Sequence, residues 1–135
     1  MNITNYGYIP EIYNNGNNES SQIPARITAS YKGRFEISSD KGPGWAYLKK
    51  GAYLSGDELY PTTGDFVLTE YQDNNEFLII KTLPRKTVFT RLDPSSSGHG
   101  AQAIAANFDY VFILQSLNHD FNISRLCLLY TSRCV

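Results

Sequence analysis

Few residues in this chain have the types and spacing that chemistry requires. Gly51 to Glu58, GAYLSGDE, carries the glycine spacing of a loop that cradles a triphosphate with consecutive backbone N–H groups and a Lys. Asp57 and Glu58 stand where the Lys and the hydroxyl residue belong, so negative charge fills the place of phosphate and a P-loop is excluded. Ser95 to Gly100, SSSGHG, has the flexibility of a phosphate nest but no cation, and reads as linker. No Asn-Lys-x-Asp string for guanine occurs. His99 and His119 have no nearby Cys, Ser or paired carboxylate that would make a nucleophile and base pair, although Asp120 adjoins His119. Cys127 and Cys134 lie seven positions apart without a second Cys or His pair at zinc-ligand spacing, which makes reduced thiols the expectation. No catalytic, cofactor-binding or metal-ligating residue is assigned.

RNA contact is the chemistry left, since it needs only cations that follow a phosphate backbone and aromatics on which bases stack. The candidate RNA-binding residues are Lys32, Arg34, Lys49, Lys50, Arg85, Lys86 and Arg91, with Tyr31, Tyr53 and Tyr71 as stacking partners. Net charge is −1, and Arg26 to Arg91 hold ten basic residues against eight acidic ones. That excess is far from the balance of a sequence-independent DNA binder, so no DNA partner is expected and RNA contact must come from local clustering. The competing reading is that these charges only solvate a surface. Gln72 to Glu76, QDNNE, is acidic and adds nothing to such a surface.

The elements that would position these side chains are short. Ala25 to Tyr31, Arg34 to Ser38, Gly44 to Lys50, Asp65 to Tyr71 and Phe77 to Leu83 are rich in aromatic and β-branched residues and are separated by turn-forming stretches, which predicts five strands. YKGR, DKGPG and QDNN supply the turns, and Gly51 to Gly64 is a crossing loop. Five short strands bury too little as a flat sheet, whereas closure into a five-stranded OB-type barrel also removes exposed edges. The expected interior is Ile27, Phe35, Ile37, Trp45, Tyr47, Val67, Leu78 and Ile80.

Around the barrel the texture changes. Residues 1–22 contain NNGNNESS and carry Glu11 and Glu19 but no Lys or Arg, and read as a flexible leader. The OB-type domain then runs over 23–92 and a Ser/Gly-rich linker over 93–106. Asp109 to Leu114, DYVFIL, lacks polar alternation, as a strand buried on both faces of a parallel sheet does. The helices that would cover it are not in the sequence. The start has no signal-peptide pattern and no apolar run reaches the roughly 18 residues of a membrane span, so a cytoplasmic protein without a membrane partner is expected.

The words LPRKTVFTR, QAIAANFDYVFILQSLNHDFN and the GD that opens the fourth strand, in this order, resemble the RsgA/YjeQ family of ribosome small-subunit-dependent GTPases from about Pro24 to Arg125. The resemblance implies an OB-fold domain that contacts rRNA of the small ribosomal subunit, then a circularly permuted GTPase domain, then a zinc-binding domain. On that view Asp109 to Leu114 opens a truncated α/β GTPase domain over 107–126, and its partner strands lie downstream. GTP, Mg and a structural Zn are expected only in the full-length family, so this chain alone is expected to be inactive. Cys127 to Val135, CLLYTSRCV, departs from the family pattern and is expected to be an atypical tail. The alternative is a stand-alone OB-fold module that binds single-stranded nucleic acid or a protein partner, with the last 30 or so residues part of its own fold.

Overall fold

The computed structural model describes residues 2–13, 21–53, 60–92, 101–117, 119, 121–124 and 127. Five strands, β1 (Gln22–Tyr31), β2 (Arg34–Ser39), β3 (Gly42–Leu48), β4 (Phe66–Tyr71) and β5 (Glu76–Thr82), close a barrel in the order β1-β2-β3-β5-β4. This is the five-stranded barrel expected of an OB fold. β1 serves two neighbours because it is long: Gln22 to Arg26 pair with β4, and Ala25 to Tyr31 pair with β2. A register shift between Ile27 and Ala29 bends it from one partner to the other. The parallel pairing of β3 with β5, from Trp45 opposite Glu76 to Leu48 opposite Ile79, closes the ring. At the tip between β1 and β2 Gly33 has φ 82°, and at the tip between β4 and β5 Asn74 and Asn75 have φ 62° and 60°, left-handed values that Gly and Asn tolerate best.

The barrel interior holds Ala25, Ile27, Phe35, Ile37, Ala46, Val67, Phe77 and Ile79. Ile27, Phe35, Ile37 and Val67 are where the sequence pattern put them. β3 and β5 are out of phase by one residue: Ala46, Phe77 and Ile79 point inward, while Tyr47 is 37% exposed and Trp45, Leu78 and Ile80 are half-buried. Apolar side chains occupy both faces of these two strands, so alternation alone does not choose between registers. The choice is steric. A Cβ on Gly44 would lie 2.5 Å from Phe77 Cε2 and 2.6 Å from the Asn75 carbonyl, so only a glycine leaves room there for the Phe77 ring.

Residues 1–22, expected as a flexible leader, are corrected over their first part. A 3₁₀ turn at Ile3–Tyr6 and a single helical turn, α1 (Pro10–Tyr13), pack on the outer side of β4. Ile3, Tyr8 and Tyr13 bury themselves with Phe66, Leu68 and Leu83, so Phe66 to Thr69 are buried on both sides of the strand. Tyr8 stacks on Tyr13 at 5.3 Å and meets Phe66 edge-on at 5.6 Å. Polar ties hold the segment: the Ile3 N–H donates to Asp40 Oδ1 at 2.6 Å, and Arg26 donates to the Tyr6 carbonyl while lying 5.1 Å from the Phe66 ring centre. Low-hydrophobicity segments stay loose only when they have nothing to bury, and here Ile3, Tyr8 and Tyr13 were available. Residues 14–20 lie outside the described residues.

The chain forms two compact units, Met1–Arg85 and Lys86–Val135. In the second, β6 (Val88–Leu92) and β7 (Ala101–Ala106) make an antiparallel two-stranded sheet, so the stretch read as linker contains a strand. Its end is bracketed: Thr87 Oγ1 donates to the Phe108 carbonyl at 2.7 Å and accepts from the Phe108 N–H at 3.0 Å, and the Lys86 N–H donates to Asn107 Oδ1 at 2.8 Å. The Ser95 to Gly100 stretch lies outside the described residues. Asp109 to Leu114, expected as a buried strand, forms no ladder among the described residues. Tyr110, Phe112 and Leu114 are 84%, 87% and 94% exposed. A strand needs paired neighbours to satisfy its backbone, and this run has none here.

Candidate nucleic-acid interface

Residues directly opposite in a ladder point to the same side, so register decides which side chains share the outer face of β1, β2 and β3. Tyr31 pairs with Arg34, and Glu36 pairs with Trp45. With Phe35 and Ile37 inside, all four of these side chains lie on the outer face. The Arg34 guanidinium sits 4.3 Å from the centre of the Trp45 ring and 5.8 Å from that of Tyr31, and the two rings are 5.9 Å apart at 53°. Tyr31 Oη lies 3.3 Å from Glu36 Oε1, a long hydrogen bond that steadies the phenol. Tyr31 and Arg34 are exposed, as is Tyr47, the next outward residue of β3. Cation–π contact of this kind leaves an arginine charged and accessible, since among the described residues no carboxylate forms an ion pair with it.

Beside Trp45 the surface dips. A shallow depression of about 410 Å³ is lined by Thr28, Glu36, Pro43, Gly44, Trp45 and the Asn74–Asn75 tip, among others. The Asn75 carbonyl accepts from the Trp45 N–H at 3.1 Å, which anchors that tip to β3. The β4–β5 connection, read from sequence as an unhelpful acidic turn, thus presents two asparagines at this dip.

The structure separates the seven cations proposed from sequence. Lys32 is exposed at the β1–β2 tip beside Arg34, and Lys50 is exposed after β3. Lys49 reaches Glu70 at 2.8 Å, an ion pair whose members are 45% and 28% exposed and whose contribution to stability is correspondingly small. Arg85 is corrected. Its guanidinium donates to both oxygens of Asp65 at 2.8 and 2.7 Å and to the Tyr60 carbonyl at 2.8 Å, and Asp65 is fully buried. Asp65 also accepts from the Thr62 N–H at 2.8 Å. A phosphate could recruit Arg85 only by leaving that carboxylate buried and uncompensated, so Arg85 is a strut of the barrel. Lys86 pairs with Asp109 at 2.9 Å and Arg91 donates to Gln102 Oε1 at 3.1 Å; both belong to the second unit and both are exposed.

The proposed stacking partners divide as well. Tyr31 fits the part. Tyr53 is half-buried against the core with its hydroxyl 2.9 Å from Thr82 Oγ1, and Tyr71 meets Phe77 edge-on while Lys41 Nζ lies 4.0 Å from its ring centre. Trp45 was missed because it was assigned to the interior. The signal that could have found it is Gly44, because a glycine within a strand marks a close approach, here of the inward Phe77 ring, which leaves its neighbour Trp45 facing out.

Comparison with known proteins finds relatives along most of the chain. Small ribosomal subunit biogenesis GTPase RsgA 1 of Listeria innocua is 43% identical over 103 residues, 75% of this chain and 28% of that protein. RsgA of Leptospira interrogans is 30% identical over 126 residues, 92% of this chain and 34% of that protein. The homologues of this chain are RsgA GTPases. The sequence spans about a third of the length of these RsgA relatives. No protein-family model matches it. Among solved structures the circularly permuted GTPase YloQ aligns with 55% of this chain and 27% of its own at a TM-score of 0.44 and 11% identity.

Among the described residues no group of three or more His, Cys, Asp or Glu that could hold a metal gathers. His119 and Cys127 are exposed. Most of GAYLSGDE, together with His99 and Cys134, lies outside the described residues. Among the described residues no helix is long and apolar enough to cross a membrane.

Proposed function

We propose that this chain is part of a small-subunit biogenesis GTPase of the RsgA kind, and that its barrel docks the protein on RNA of the small ribosomal subunit. The similarity to the RsgA proteins carries this reading. The outer face of β2 and β3 supports it, because OB folds use that face for nucleic acid and here it bears Lys32, Arg34 and uncovered aromatics. Lys86 and Arg91 add accessible charge from the second unit. GTP hydrolysis, with its Mg, and the zinc-binding domain belong to the longer protein, since neither a P-loop nor a guanine-recognition string occurs in this sequence. Such a factor works in the cytoplasm. The rival reading, a free-standing module that closes its fold with residues 107–125, requires that stretch to be packed, and Tyr110 to Leu114 are exposed.

The test is co-sedimentation of the chain with isolated small subunits across a salt series. The Lys32→Glu, Arg34→Glu double variant should bind about tenfold or more weakly, with a salt slope shallower by about two. Equal binding and an equal slope in the variant would remove this face from the interface.

A further inference from the structure

The two rings at the β1–β2 tip do not form a slot. At 5.9 Å and 53° they are too close and too tilted to admit a base between them. Arg34 already lies against the Trp45 ring, so what the site offers is a platform of one indole, one phenol and one guanidinium. The dip beside Trp45 is not lined for phosphate. Glu36 is a carboxylate in its wall, and a phosphate placed there would meet like charge at close range. The cations stand outside the dip, on Lys32 and Arg34. Charge therefore orders the ligand: sugar-phosphate along the tip, something uncharged or donor-rich in the dip.

We propose that Trp45 and Arg34 stack one unpaired nucleobase of single-stranded or looped RNA, and that Glu36 accepts a hydrogen bond from that base's exocyclic amino group. This rests on the RNA-docking reading and deepens it. Only an unstacked base has a free π-face and a free edge, so duplex RNA is a poor ligand for the site. A carboxylate accepts from the amino groups of cytosine, adenine or guanine, whereas uracil offers only its ring N3–H, flanked by two carbonyl oxygens that repel a carboxylate. Asn74 and Asn75, at the wall of the dip, bring amides that both donate and accept. The site therefore prefers amino-bearing bases over uracil, a choice that phosphate contacts cannot make.

Trp45 is the only tryptophan of the chain, so its fluorescence reports on this site alone. The full chain is titrated at fixed low salt with hexamers of cytidylate, adenylate and uridylate, which carry equal charge. Saturable quenching by the first two is expected, with uridylate about tenfold weaker, the discrimination that one good base-edge contact supplies. In Glu36→Gln the uridylate disadvantage should shrink. Labelled-oligonucleotide anisotropy should show Trp45→Ala binding about tenfold more weakly, within the range that one stacked base contributes, and Trp45→Phe weakened less. Both variants are checked against the parent by circular dichroism and thermal melting. Quenching that ignores base identity, or full affinity in a folded Trp45→Ala, would overturn the proposal. Small-subunit co-sedimentation keeps the two readings apart: normal docking without quenching by any hexamer sinks the stacking site alone, whereas loss of docking by the parent chain sinks both.

Discussion

The barrel carries aromatic side chains on two of its outer faces, and they have opposite fates. Over β4 the N-terminal turns bring Tyr8 and Tyr13 down on Phe66, and Arg26 closes against the same ring. Over β1, β2 and β3 Arg34 meets Tyr31 and Trp45 in much the same way, but there Tyr31 and Arg34 stay exposed and Trp45 is only half-buried. The same residue types therefore serve stability on one face and remain available on the other. Covering, not composition, tells them apart. The arginines repeat the lesson: Arg85 is locked on a buried carboxylate, and Arg34 is itself exposed beside Trp45 and Tyr31.

The comparison breaks first at its covered side. Phe66→Ala should cost about 3–5 kcal/mol in chemical denaturation, as deletion of a buried aromatic does, and leave the affinity of the folded fraction for small subunits unchanged. A loss below about 1 kcal/mol would mean that the N-terminal cover contributes little. Next, Arg85→Ala should cost about 3 kcal/mol, the low end for breaking a buried pair because the Thr62 N–H stays on Asp65. Arg34→Ala should cost only about 0.5–1 kcal/mol, the scale of an exposed cation–π contact. Equal losses at the two arginines would erase the distinction drawn between them.

The smallest effect concerns pH. Burial raises the Tyr8 phenol above its ordinary value of 10.0, and Tyr13 and Asp40 add to the rise. The unfolded chain then releases its proton at lower pH than the folded one, so the stability due to the neutral phenol is full below pH 10.0 and is lost as pH climbs through the raised value. Denaturation midpoints taken on either side of that pH should fall less in Tyr8→Phe than in the parent. Trp45, on the bare face, gives no such dependence.

Much of this was legible beforehand. Five strands and a closed barrel follow from turn residues and short apolar runs, and the RsgA resemblance was carried by strings of residues that need no structure to be seen. The proposed binding face was legible only in part. Lys32, Arg34 and Tyr31 were named from sequence, while Trp45 was placed inside and Arg85 was counted as a contact. In β3 apolar residues alternate in two sets and leave the register open, and the charge on Arg85 says nothing about an aspartate 20 residues earlier that folds onto it.

Strand identity, turn positions and kinship were thus determined by the sequence itself, because they depend on neighbours within a few residues or on the order of letters. Tertiary structure alone decided which way β3 and β5 face, that residues 3–13 cover β4, that Ala101–Ala106 pairs with Val88–Leu92, and which arginine is buried. Each of those is settled by steric fit or pairing between segments far apart in the chain, such as Gly44 against Phe77 or Ile3 against Asp40. Local patterns carry no record of such partners.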